Sequence, residues 1–394
     1  MLTSLGLLFL LGMFFGWTFK KISLPPLMGM IIAGILLGPY VFNLLSDTML
    51  SISADLRKTA LIIILLRAGL SLDIKSLKKV GRPAIMMCCV PAVFEILGCI
   101  IICPVIFGLS PIEAAVAGSV IAAVSPAVVV PRMLKLIEEK FGTQKGIPQM
   151  IMAASSVDDV FVIVLFTAFT SLASGKSISA ASFLQIPISI ILGIMLGIIC
   201  GYVIAKIFRF VNIAVTSKII ILLSLSYLLT ALENVLEGTV PIASLLSIMS
   251  MGAVLFRLLP DAAKDIALGF GKLWSGAEIL LFTLVGAAVN INYAAASFIG
   301  AAAVIVFAMI FRMVGVQICL FRTILNKKER LFSAFSYLPK ATVQAAIGSV
   351  PLAMGLACGK TVLTIAVWAI FITAPAGAAL IDFSYKKLLE KEIL

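Results

Sequence analysis

The stretch MAASSVDDVFVIVLF, residues 152–166, sets two adjacent carboxylates, Asp158 and Asp159, in a run of otherwise small and apolar residues. A carboxylate can take up a proton or ligate a hard cation through oxygen. Burial and a neighbouring like charge both favour the protonated form, so an adjacent pair in a dry setting can be poised between the two cargoes. Neighbours on a helix are turned ~100° apart, so the two acids flank a cavity wall rather than share one direction. Binding one cargo expels the other, which is exchange chemistry and needs no cofactor. The chain contains no histidine, so any proton chemistry falls to carboxylates or lysine.

Such a pair must be held by apolar elements. Of 394 residues 62% are hydrophobic and 12% charged, and mean hydropathy is +1.20, far from the ~25% charged residues of a soluble domain. Apolar runs long enough to cross a bilayer recur throughout, which excludes a soluble enzyme. The expected fold is an all-α polytopic membrane protein with thirteen spans: 2–19, 26–44, 56–72, 83–107, 112–132, 147–171, 183–208, 217–232, 240–257, 272–290, 295–321, 331–354 and 361–381. The first run lacks a basic leader and reads as a span rather than a cleaved signal. With these spans, 23 of the 30 basic residues fall in one set of alternate loops. The other set holds Arg57, Lys58, Lys176 and Lys360. By the positive-inside rule the N-terminus is outside and the C-terminus cytoplasmic. The formal charge of +12 is therefore topology, compatible with anionic-lipid contact, and not a nucleic-acid patch. The seven cysteines lack paired metal spacing and read as small hydrophobes. GTQKGIP, after Phe141, lacks the ending of a phosphate loop, so nucleotide binding is discarded.

Glu95, Asp158, Asp159, Glu278, Arg67, Arg312 and Lys340 remain at membrane depth. Each ionised group there costs ~2.5–3.5 kcal/mol on insertion scales, which makes it a functional candidate. Arg67 and Glu278 lie near span ends, where snorkelling explains them equally well. Two spans also carry breakers. AAVSPAVVVP, 122–131, holds Pro126 and Pro131, and SYLPKATVQAAIG, 336–348, holds Pro339. Proline removes a donor and clashes with the preceding turn, freeing backbone groups that a membrane tolerates only inside protein or along a cavity. The two broken spans are the fifth and the twelfth, seven apart, an odd number, so they run in opposite directions. Glu95 lies one span before the first break, and Arg312 one span before the second. This pattern is an inverted-topology repeat, spans 1–6 matching 8–13, with two broken helices at a transport site. Ser125 and Thr342 at the breaks, with Ser155 and Ser156, supply further oxygens. Lys340 is expected to neutralise carbonyl ends at the second break. Glu95 and Arg312 read as a structural or gating pair, since arginine does not release its proton.

LLRAGLSLD (65–73), AVSPAVVVPRML (123–134), KGIPQMIMAASSVDDV (145–160), SYLPKATVQAAIGSV (336–350) and TAPAGAALI (373–381) resemble the monovalent cation/proton antiporters, closest to their NHA-type branch. The resemblance implies crossing broken helices and a homodimer. Residues 1–82 and 210–293 would form the dimerisation scaffold, 83–182 and 294–394 the moving ion-transport core, and 183–209 the connecting helix. It also implies exchange of Na⁺ or Li⁺ for H⁺ at Asp159, with Asp158 as its neighbour and Arg312 paired to Glu95. Ser125 departs from relatives that carry an aspartate at that break. The expected setting is a bacterial inner membrane. A K⁺/H⁺ antiporter or a sodium-coupled organic anion carrier shares this architecture, and an ion channel is the rival from another class. No cofactor is expected, and the only metal is the transported cation at Asp159 and Asp158.

Overall fold

A computed structural model describes residues 1–22, 24–71, 81–174, 180–211, 213–236 and 242–392, with only the backbone of Ser156 and of 180–187. Lys75, Lys78, Lys79, Lys176 and the Ser156 side chain therefore lie outside the described residues. The chain is helical: α1 Leu2–Lys21, α2 Pro26–Leu37, α3 Asp47–Ser51, α4 Ser53–Leu70, α5 Arg82–Met87, α6 Val90–Phe107, α7 Pro111–Ile121, α8 Pro126–Glu138, α9 Ile147–Ser174 and α10 Ala180–Phe210. There follow α11 Val215–Leu236, α12 Ser244–Leu258, α13 Pro260–Ala287, α14 Ile291–Ala296, α15 Phe298–Cys319, α16 Lys327–Ser336, α17 Thr342–Gly348, α18 Val350–Ala353 and α19 Gly359–Leu388. Among the described residues nine helical segments are long and apolar enough to cross a membrane. The expected spans 26–44, 240–257 and 331–354 fall on apolar helices shorter than eighteen residues. The span 56–72 falls on α4, which carries Asp55, Arg57, Lys58 and Arg67. Helix α13 begins at Pro260, twelve residues before the expected span at 272, because the polar turn Asp261–Asp265 continues it beyond the apolar run.

Prolines set where helices start. Pro26, Pro83, Pro91, Pro111, Pro126 and Pro351 each occupy the first or second helical position, where the missing N–H has no helical partner to lose. Pro126 thereby opens α8 after the break at 122–125, whereas α8 runs through Pro131 to Glu138. Capping boxes start α7, through Ser110 and Glu113, and α16, through Asn326 and Glu329.

The chain packs as two units. One comprises Asp55–Asp73 and Ser174–Leu281. Within it α10 and α12 approach closely: Gly193, Gly197 and Gly201 face Ala243, Ser247 and Met251 or Val254, and Ser247 Oγ donates to the Gly193 carbonyl at 2.8 Å. Small residues four apart let backbones meet where lipid offers no hydrophobic driving force. Arg67 and Glu278 belong to this unit.

The other unit, Met1–Ala54, Ile74–Ala173 and Phe282–Leu394, carries the remaining acids and bases of membrane depth. Here α6 packs along α15, and a Cβ at Gly315 would come within 2.8 Å of Pro91 Cα. The second break lies against α19, where a Cβ at Gly377 would meet the Pro339 ring at 2.5 Å. The two breaks join directly: Ser125 N donates to the Pro339 carbonyl at 2.8 Å. Opposed interruptions bonded backbone to backbone give the crossing-broken-helix arrangement.

Candidate ion-binding site

Each break leaves carbonyls without helical donors, and two side chains serve them. Arg312, from α15, donates Nε to the Tyr337 carbonyl at 2.6 Å and Nη1 to the Ala122 carbonyl. Gln344, from α17, donates Nε2 to the Ala123 carbonyl at 2.8 Å and to that of Ile121 at 3.4 Å, while its Oε1 accepts from Ala341 N at 2.7 Å. The Lys340 amide donates to Thr373 Oγ1 at 2.9 Å. Gln344 and Thr373 are part of the site's frame without having been expected from sequence. Neutral polar residues in apolar runs carry little insertion penalty, so neither stands out.

The charges follow. Arg312 also donates Nη1 to Glu95 Oε2 at 2.7 Å and Nη2 to Asp158 Oδ2 at 3.0 Å, and its guanidinium lies 5.3 Å from the centre of the Tyr337 ring. Asp158 Oδ2 further accepts from Val124 N, in the first break, at 2.8 Å. Sequence reasoning sets Lys340 against carbonyl ends. In the structure its Nζ lies 2.6 Å from Glu95 Oε2. A full opposite charge outcompetes the half charge of a helix end.

Glu95, Asp158, Arg312 and Lys340 are thus one buried network. Glu95 Oε1, Asp158 Oδ1 and Asp159 Oδ1 are buried with no hydrogen-bond partner among the described residues, as are the Ser125 and Tyr337 hydroxyls. Ser155 differs: its hydroxyl donates to the Met152 carbonyl of its own helix at 3.0 Å. Thr342 is buried at the first position of α17, beyond the second break. When all are ionised, the carboxylates of Glu95, Asp158 and Asp159 exceed the cations Arg312 and Lys340 by one charge. One proton or one monovalent cation makes the centre neutral.

Two opposed half-helix breaks around such a centre define the broken-helix class of secondary transporter fold. The sequence profile described as "Sodium/hydrogen exchanger, transmembrane" matches residues 7–381, and the chain belongs to this family. It is 33% identical over 379 residues to sodium/hydrogen exchanger 9B2 of Mus musculus, a match covering 93% of this chain and 69% of the relative. It is 31% identical over 383 residues to exchanger 9B1 of Homo sapiens, covering 93% and 73%. The fold superimposes on that of the sodium proton antiporter MjNhaP1 from Methanocaldococcus jannaschii with a TM-score of 0.84 at 19% identity, covering 98% of each chain.

Proposed function

We propose that this membrane protein is a secondary antiporter exchanging Na⁺ or Li⁺ for H⁺, with the Asp159 carboxylate as the shared site. The charge count carries the reading: the carboxylates of Glu95, Asp158 and Asp159 against two cations leave one negative charge to be filled. Asp158 is held by a guanidinium that never deprotonates and by a main-chain N–H. It is therefore the fixed, charge-balancing member of the pair, and Asp159 is the exchanging one. The unserved Asp158 Oδ1, the Ser125 hydroxyl and Thr342 complete an oxygen shell for the cation. Ser155 contributes less, since its hydroxyl is committed to Met152.

The empty centre carries −1 and is the state least able to move through a low-dielectric barrier. Centres loaded with one cation or one proton are neutral and cross. Obligatory exchange follows, at one for one and without net charge movement. The glutamate and the lysine of the network fix Arg312 across both breaks, so the breaks move together with the acids. Residues 83–182 and 294–394 form the moving core, and 1–82 with 210–293 the scaffold of a homodimer, with the basic loops on the cytoplasmic side.

The test is a pH-gradient assay in proteoliposomes with Na⁺, Li⁺ and K⁺ in turn, with and without a potassium/valinomycin clamp. Wild type should dissipate the gradient with Na⁺ or Li⁺ at a rate independent of the clamp, and Asp159→Asn should fall to the protein-free rate. A K⁺-driven signal alone would reassign the cargo. Retained exchange in Asp159→Asn would remove Asp159 from the site.

A further inference from the structure

A groove of about 730 Å³ lies between α5 and the C-terminal end of α15. Its floor includes Ile310, Met313, Val314 and Ile318, and its rim carries Arg82 and Arg322. Ile310, Val314 and Ile318 recur every fourth residue, so they share one helix face, and they are 54%, 46% and 42% exposed. From Ile310 to Cys319, where α15 ends, the rise is roughly 14 Å at 1.5 Å per residue. One leaflet's hydrocarbon is about 15 Å deep. The apolar floor is thus as long as one leaflet's acyl chain, and the arginines stand where that chain's headgroup would be.

Among the described residues no acid lines the groove and neither arginine has an ion-pair partner. Arg322 sits at φ +58°, a left-handed conformation that disfavours any side chain by ~1–2 kcal/mol. The position following a helix end is one where glycine is ordinary. Here it presents a guanidinium, 5.6 Å from the centre of the Phe321 ring. Gln317, also on the groove, donates Nε2 to the Arg330 carbonyl at 3.2 Å and ties this end of α15 to α16.

We infer that the groove binds one anionic phospholipid of the leaflet on the basic side, with Arg82 and Arg322 on its phosphate and an acyl chain along α15. Two guanidiniums without an ion-pair partner among the described residues, above an open apolar floor, match a phosphodiester with a tail, and a forked donor suits phosphate oxygens. Such a lipid would stabilise the core without entering the exchange site, so the inference does not depend on which cations are exchanged.

The experiment measures thermal unfolding of the whole protein in nanodiscs of dioleoylphosphatidylcholine, with and without dioleoylphosphatidylglycerol. Wild type should melt several degrees higher with the glycerol lipid. The variant R82Q/R322Q should melt like wild type in the choline lipid and lose most of that increment. K327Q/K328Q, with the same loss of charge away from the groove, should keep it. An equal increment in wild type and R82Q/R322Q overturns the proposal, as does an equal loss in both double variants, which would mean diffuse charge. Equal stabilisation by inorganic phosphate in the choline lipid overturns the lipid assignment. If R82Q/R322Q melts early in the choline lipid, native mass spectrometry of the wild type and of R322Q decides. Retention of one phosphatidylglycerol by wild type and its loss in R322Q support the site, and equal retention overturns it.

Discussion

Two clusters of acids and bases lie in the same packing unit and follow different rules. Near the basic end, Glu329 is a buried carboxylate with both oxygens served. Oε2 accepts from Asn326 N at 2.8 Å and Oε1 from Lys145 Nζ at 2.7 Å. Around it Lys145 also reaches Glu390, Thr143 Oγ1 donates to Glu392, and Arg132 pairs with Asp382. Main-chain bonds from Gly142 N to the Glu390 carbonyl and from Glu392 N to that of Lys140 close the clip. At membrane depth, Glu95, Asp158 and Asp159 each keep one oxygen unserved, and acids outnumber bases by one. The acid that fastens α16 is satisfied completely, while each acid of the proposed exchange centre, whether exchanging or charge-balancing, retains a lone pair. Satisfaction of both oxygens therefore separates the clip from the proposed exchange centre better than burial does, since Glu329 is as buried as Glu95 and Asp158.

Substitutions can break that contrast, and the largest effect is expected at Arg312. Arg312→Leu leaves Glu95 and Asp158 without their shared cation and two break carbonyls without a donor. Removing one partner of a buried pair destabilises by ~3–5 kcal/mol, which should appear as poor yield and a markedly lower melting temperature. Arg312→Lys should fail to restore stability, because a single ammonium cannot fork to two carboxylates and two carbonyls.

Glu95→Gln comes next. It erases the surplus negative charge while Asp158 and Asp159 stay in place. The Na⁺ concentration for half-maximal exchange should rise about tenfold or more, equivalent to ~1.4 kcal/mol, with the protein still folded by melting assay.

At the clip the outcome should invert. Lys145→Gln should lower the melting temperature and leave exchange at saturating Na⁺ unchanged. The hydrogen bond to Glu329 raises the Lys145 ammonium above the usual lysine range. Its contribution is thus fully present below the ordinary value of ~10.4 and is lost as pH rises through the raised folded value. The melting difference between wild type and Lys145→Gln should be constant over the neutral range and shrink only in strong alkali. The smallest effect belongs to Lys135→Gln. The exposed Lys135–Glu139 pair, at 3.7 Å, should give no measurable change in melting, as surface pairs of this kind contribute little.

What the sequence made legible is what is costly in a membrane. Asp158, Asp159, Glu95, Arg312 and Lys340 stand out because an ion there carries an insertion penalty, and Pro126 and Pro339 because they interrupt apolar helices. The partners stayed hidden. Nothing local says that Lys340 reaches Glu95, 245 residues away, or that Gln344 caps the break at 121–123. These contacts exist only once the two breaks are bonded to each other. Neither could the clip around Glu329 be read, since Lys145, Glu329 and Glu390 are ordinary loop and helix-end charges until the fold brings them together.

Exchange at Asp159, with Asp158 balancing charge, can be read by counting protons released when Na⁺ is added to purified protein in weakly buffered solution with a pH indicator. At a pH where the site is protonated, wild type should release about one proton per bound Na⁺ and Asp159→Asn none. Proton release by Asp159→Asn equal to that of wild type would contradict it.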